Sequence, residues 1–162
     1  MTPTFTTERL SLTPPTAEDA AFVLELLNDP GWIANIGDRG VRTLDDARAY
    51  IADRFSKSLW LVVRDGAGEP VGMCGIVQQR DGLDSPDIGY AFLARHSGKG
   101  YATESARVVL KHARETLGLA KVAAITSPDN TASQRVLEKI GLRFVQMMDL
   151  PGHDEPSAYF TT

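Results

Sequence analysis

The chain has 162 residues, the usual size of one domain around one core, so residues 1–162 are read as a single domain. Apolar residues make up 43% and charged residues 23%, a soluble globular balance that disfavours disorder and a fibrous fold. Seventeen Lys and Arg against 21 Asp and Glu give a net charge of -4, which argues against a nucleic-acid partner, because counterion release needs a positive surface. No apolar run approaches the ~18 residues that span a bilayer. Residues 1–9 have no basic segment followed by an apolar one, so a cytoplasmic location without a membrane partner is expected. Cys74 is the only cysteine, which excludes an internal disulfide and any cysteine-based metal cluster, and no metal is expected.

Residues 8–15 (ERLSLTPP) alternate Leu10 and Leu12 with polar neighbours, predicting a half-buried strand that ends at Pro14 and Pro15. Thr16 and Asp19 form a capping-box pattern ahead of Ala20, Val23, Leu24 and Leu27, which share one helical face; this helix ends near Asn28, Asp29 and Pro30. Gly31, Asn35, Gly37 and Gly40 surround Trp32 and Ile36, so 31–42 reads as a loop with apolar anchors. A second capping box, Thr43 with Asp46, opens a helix carrying Leu44, Ala47, Ile51 and Phe55 at helical spacing. Residues 59–64 (LWLVVR) and 71–78 (VGMCGIVQ) are β-rich runs joined by the turn residues Asp65, Gly66, Ala67 and Gly68, and 87–94 (DIGYAFLA) adds a third strand to the meander.

A long helix follows, with Ala102, Ala106, Val109, Leu110, Ala113 and Leu117 on one face and Gly118 as its stop. Residues 121–126 (KVAAIT) read as a short buried strand. Asn130 opens a helix with Ala132, Val136, Leu137 and Ile140 inward, and 144–150 and 157–162 are two last strands. The order β-α-α-β-β-β-α-β-α-β-β makes an α+β fold of about seven strands flanked by about four helices.

The stretch 92–103 (FLARHSGKGYAT) runs from a strand through a glycine-rich turn into the long helix. A helix start presents unpaired N–H groups and the positive end of the helix dipole, and Gly98 and Gly100 let an anion approach the backbone. A Walker A loop fails, because Leu93 stands at its first glycine and Gly100 at its Ser or Thr. A dinucleotide fingerprint fails at Thr103, and the preceding strand belongs to an antiparallel meander.

Arg95-x-x-Gly98-x-Gly100-x-Ala102 resembles the R/Q-x-x-G-x-G/A signature of the GNAT N-acetyltransferases. Residues 7–12 (TERLSL) look like the opening strand of their RimJ/RimL-type branch, 87–93 (DIGYAFL) like its fourth strand, and 130–144 (NTASQRVLEKIGLRF) like its second cofactor-contacting helix. Ala94 and Ser97 stand where the family pattern has a proline and an aromatic residue.

The resemblance implies a central, mostly antiparallel mixed sheet and an acetyl-CoA-dependent transfer of acetyl to a primary amine, on a protein N-terminus or a small molecule. It implies that the backbone of Phe92, Leu93 and Ala94 pairs with the pantetheine arm. It also implies that Arg95, Gly98, Lys99, Gly100, Tyr101, Ala102 and Thr103 surround the pyrophosphate. Asn130 would lie near the pantetheine and Ser133 near the sulfur as proton donor, with Tyr159 as an alternative donor. An acceptor amine has a pKa of about 8 to 10.4 and arrives protonated; Asp87 is the base expected to take that proton through water.

In the resemblance the region between the first two helices and the last hairpin flank the thioester, which makes Trp32, Asn35, Asp38, Arg39 and His153 the acceptor candidates. The overall acidity favours a cationic amine, and the protein is expected as a monomer or homodimer.

Simpler roles stand beside these. Asn130 is also a natural N-cap, Trp32 and Ile36 can simply close the core, and His96 and His112 read as surface residues. Cys74 reads as core, since direct transfer needs no cysteine nucleophile. A catalytically silent acyl-CoA sensor and a protein-interaction module are the two rival readings of the same fold.

Overall fold

A computed structural model describes residues 3–162; Met1 and Thr2, the start of the stretch read as free of a leader, lie outside it. Eight strands form one sheet in the order β1-β2-β3-β4-β5-β6-β8-β7. They are β1 (Phe5–Thr6), β2 (Ser11–Thr13), β3 (Leu59–Arg64), β4 (Pro70–Val77), β5 (Asp87–Phe92), β6 (Ala123–Thr126), β7 (Arg143–Met148) and β8 (Ser157–Thr161). The helices are α1 (Ala20–Leu27), α2 (Pro30–Asn35), α3 (Leu44–Asp53), α4 (Tyr101–Glu115) and α5 (Thr131–Lys139). Every neighbouring strand pair is antiparallel except β5 and β6. The α+β class and the mixed sheet are as expected, with one strand and one helix more.

Both additions have local causes. The first strand is in fact a hairpin: Thr7 N–H donates to Leu10 O at 2.8 Å, which turns the chain within 8–15 and pairs Phe5 with Leu12. In the stretch read as a loop, Pro30 is the first residue of α2 instead of a stop. Asp29 caps that helix by accepting the Gly31 N–H at 3.0 Å, and a proline is tolerated at the first helical position because its missing N–H would be unpaired anyway. The two capping boxes form as read. Asp19 accepts the Thr16 N–H at 2.9 Å, and Asp46 N–H donates to Thr43 Oγ1 at 3.0 Å.

Alternation along the strands divides the apolar residues between two cores. Leu61, Val63, Cys74, Ile76 and Ile88 face α4 and α5, whose Ala106, Val109, Ala113 and Leu137 pack on them. Val62, Met73 and Leu93 face the other way, under Val23, Leu26 and Leu27 of α1 and Ala47 and Ile51 of α3. The sheet is therefore covered on both sides, and a ligand reaches its middle only where two strands part.

Asp29 also ties the two layers together, because its other carboxylate oxygen accepts the Ala94 N–H at 3.0 Å. Loss of a cap and of this second bond should lower stability. Asp29→Ala is expected to reduce the unfolding free energy in urea by about 1–2 kcal/mol, and Asp29→Asn, which keeps an accepting oxygen, by less.

Candidate active site

β5 and β6 run parallel but pair only at Asp87 and Ala123, next to a bond from Ala123 N–H to Pro86 O at 2.9 Å. Beyond that bridge the two strands diverge and leave the rest of β5 with one free edge. Leu93 N–H donates back to Val71 O at 3.0 Å. By the alternation of an antiparallel strand, the N–H and C=O groups of Tyr90 and Phe92 therefore point away from β4 into the gap. The gap joins the two faces of the sheet.

At the end of β5 the chain makes a short 3-10 turn, Ala94–His96, and enters α4 through Gly98 and Gly100. Their φ angles are 79° and 82°, a left-handed conformation that glycine adopts without strain. Among the described residues, none of the backbone N–H groups of Gly98, Lys99, Gly100, Tyr101, Ala102 and Thr103 donates a hydrogen bond. They form an open anion cradle at the positive end of a 15-residue helix.

Arg9 braces this turn from outside. Its guanidinium donates to Lys99 O at 2.8 Å and to Glu104 Oε1 at 2.7 Å. A groove of about 810 Å³ runs from Gly100 and Thr103 along the outer face of α4, edged by Arg9, Arg107, Lys111 and Lys139.

A second cleft, of about 840 Å³, occupies the gap and the face of the sheet below α2 and α3. Its floor is Trp60. A Cβ on Gly89 would sit 3.0 Å from the indole Cη2 and one on Gly75 2.9 Å from Cε3, so two glycines make the flat bed on which the ring lies.

Asp87 opens into this cleft at the strand bridge, only 1% exposed. Burial pushes its carboxyl group up from the ordinary aspartate range, opposed by Arg80, whose Nε donates to both carboxylate oxygens at 3.1 and 3.2 Å. Across the gap, Tyr90 Oη lies 2.9 Å from both Ser133 O and Ser133 Oγ. Burial holds the Tyr90 hydroxyl protonated, its pKa raised above the usual tyrosine value.

The sequence profile of the acetyltransferase (GNAT) domain family matches residues 9–143. YnaD of Bacillus subtilis, described as an uncharacterized N-acetyltransferase, is 30% identical over 146 residues, covering 85% of this chain and 81% of its own. The chain belongs to the GNAT acetyltransferase family.

YkkB of the same organism, an uncharacterized protein, is 43% identical over 91 residues, 56% of this chain, and that match spans only 53% of YkkB. Among solved structures, a GNAT-family acetyltransferase from Bacillus anthracis superposes with a TM-score of 0.84 at 27% identity, over 99% of this chain and 98% of the other.

The GNAT chain brings some of the expected site residues together and leaves others apart. Asp87, Ser133, Trp32, Asn35, Arg39 and His153 all line the central cleft. Asp38 does not, because it turns back to pair with Arg42. Tyr159 is buried on β8 outside the cleft, its ring 5.9 Å from Lys121 Nζ. Asn130 caps α5 through a bond from Ser133 N–H at 3.2 Å.

Leu93 is fully buried with its N–H and C=O bonded inside the chain, and the Ala94 N–H is taken by Asp29. Phe92 keeps its free edge. Arg95 pairs with Glu25 and Glu69 instead of facing the cradle, and the Lys99 ammonium lies 3.4 Å from His96 Nδ1. His96, read as a surface residue, is buried under the turn, and His112 packs edge-on against Phe5. Cys74 is buried in the core, its thiol pushed up to about 12 by burial, and so it stays a thiol.

Sequence reasoning passed over Tyr90 and Trp60. Tyr90 alternates with Asp87 on a strand already singled out, and that spacing alone places it on the opposite face. Trp60 gave no such signal until Gly75 and Gly89 were seen to lie beneath it.

Gly75→Ala is expected to lower stability by about 1–3 kcal/mol in urea unfolding, because its Cβ would fall 2.0 Å from Leu59 O. It should also shift the tryptophan emission as Trp60 lifts off its bed.

Proposed function

We propose that this GNAT domain is an acetyl-CoA-dependent N-acetyltransferase that passes acetyl directly to a primary amine. The observation that carries this reading is the unbroken run of unpaired N–H groups from Gly98 to Thr103, opening beside the gap between β5 and β6. Those donors fit a pyrophosphate, and the free edge at Phe92 fits the amides of a pantetheine arm by strand addition. Arg107, Lys111 and Lys139, with Arg9, edge the adjoining groove and suit the remaining phosphate.

Bound acetyl-CoA supplies an activated thioester: the amine nitrogen bonds to the carbonyl carbon, the C–S bond breaks, and the CoA thiolate leaves. The chain supplies proton traffic and position. Asp87, buried at the apex of the gap, accepts the proton of the incoming amine, directly or through water.

On the opposite side of the gap the Tyr90 and Ser133 hydroxyls form a bonded pair that can return a proton to the thiolate. Tyr90, protonated and lining the cleft, takes the donor role that the sequence offered to Tyr159. No helix among the described residues is long and apolar enough to cross a membrane, which suits an enzyme acting on dissolved amines. A cytoplasmic location belongs to the same proposal.

The deciding measurement is release of free CoA thiol from acetyl-CoA across a panel of primary amines, beside a calorimetric titration with CoA. Turnover with binding supports the enzyme. Binding without turnover on any amine supports the acyl-CoA sensor, and no binding at all leaves only an interaction module.

An aspartate must be ionised to accept a proton, so kcat/KM should fall as pH drops through the raised pKa of Asp87, above the ordinary value of about 4. Asp87→Asn should lower kcat by about 10²–10⁴-fold and remove that acid limb. Loss of the 3′-phosphate should weaken binding too: dephospho-CoA is expected to bind about tenfold less tightly than CoA in calorimetry.

A further inference from the structure

The acceptor half of the cleft has two poles of opposite sign. Its outer wall carries Arg39, after α2, and Arg54 and Lys57, after α3; all three are exposed and line the cleft. Among the described residues none of the three has an ion-pair partner, whereas Arg42, Arg48, Arg80 and Arg95 each hold a carboxylate. The guanidinium of Arg54 is held over the Tyr50 ring, 5.5 Å from its centroid.

The opposite pole is acidic. It consists of the exposed Asp154 and Glu155 of the loop between β7 and β8, beside Asp87 at the strand bridge, whose charge Arg80 of the same cleft partly offsets.

A ladder of aromatic rings separates the poles. Trp60 lies over Gly89, two residues from Asp87, and is followed by Phe55 at 5.7 Å and Tyr50 at 5.1 Å between ring centroids. Trp32, in the same wall as Arg39, is only 8% exposed, and its indole N–H has no partner. A buried donor left unpaired in a cleft wall marks a place where a bound acceptor oxygen is wanted.

Resting on the acetyltransferase reading, we infer that the acceptor is a small primary amine carrying an anionic group, carboxylate or phosphate, at a distance from its nitrogen. The amine lies toward Asp87 and the anion against Arg39, Arg54 and Lys57, with apolar spacer atoms over Trp60. A polycationic amine meets three unpaired cations on that wall and is disfavoured, since like charges brought together in a cleft repel. The exposure of all three cations makes the selectivity sensitive to salt.

The test reads binding as well as turnover. The full chain, saturated with CoA, is titrated by calorimetry with ε-aminocaproate and hexylamine, with phosphoethanolamine and ethanolamine, and with spermidine; CoA release from acetyl-CoA is followed with the same amines. Each amine that carries an anion should bind about tenfold tighter than its match without one, with the difference shrinking in high salt. Which of the two anionic amines gains more separates carboxylate from phosphate recognition.

In Arg54→Gln/Lys57→Gln the preference should collapse toward unity, read as a ratio within one protein so that a general loss of binding does not mimic it. Equal binding within each pair, tighter binding of spermidine, or a preference untouched by the double substitution overturns the inference. If the preference is present but no amine is acetylated, the enzyme reading fails and the anion site stands.

Discussion

The central cleft of this molecule follows from one incomplete strand pairing. A parallel pair is normally tied by evenly spaced hydrogen bonds along its whole length, and here β5 and β6 hold together at Asp87 and Ala123 alone. Among the described residues the sheet is covered on both faces, and this divergence opens its middle. It sets a free strand edge at Phe92, the Tyr90 and Ser133 hydroxyls on the side of α4 and α5, and Asp87 at the apex. The direct transfer proposed above requires two bound molecules to meet at such an opening, one from the helical side and one from the Trp60 side.

The anion cradle comes from the glycine turn into α4, and its openness is maintained by contacts that avoid it. Arg9 reaches from the N-terminal hairpin to Lys99 O and Glu104, Asp29 holds the Ala94 N–H, and Arg95 pairs with Glu25 on α1. Each bond fixes the turn from its outer side. Burial would raise the Glu104 carboxyl, but hydrogen bonds from Thr7 and Arg9 keep it below the usual glutamate range, so the brace stays charged. The turn is thus positioned before any ligand arrives, while the N–H groups of Gly98 to Thr103 remain free, and little ordering is required on binding.

How much of this was legible in the sequence depends on how local each signal is. Gly98 and Gly100 before an amphipathic run, the two capping boxes and the hairpin after β3 are short-range patterns, and they form as read. Helix α2 was hidden because Asn28, Asp29 and Pro30 signal the end of one helix and the start of another with the same three residues. Asp38 looked free until the fold of its own loop brought Arg42 within reach. The pairing of Tyr90 with Ser133 spans 43 residues of sequence and needs the divergence of β5 and β6, which no local pattern encodes. The glycine turn and, in the cleft wall, Trp32 and Arg39 were legible from the sequence, whereas Arg54 and Lys57 join that wall only because the fold sets the end of α3 beside α2.

Charge shows why the global count misleads about the site. The chain is acidic overall, at -4, yet much of that acid is engaged in shaping the backbone. Asp19 and Asp46 close capping boxes, Asp29 caps α2, and Asp65 accepts two N–H groups in the hairpin turn after β3. Glu25, Glu69 and Glu104 neutralise Arg95 and Arg9 around the cradle. Carboxylates used this way are held at element ends or against a cation. Among the cations left over, Arg107 and Lys139 edge the outer groove and Arg39, Arg54 and Lys57 stand in the cleft wall. Within a Debye length of about 8 Å a ligand feels these neighbours and not the total, so an acidic protein presents positive surfaces along its outer groove and in its cleft wall.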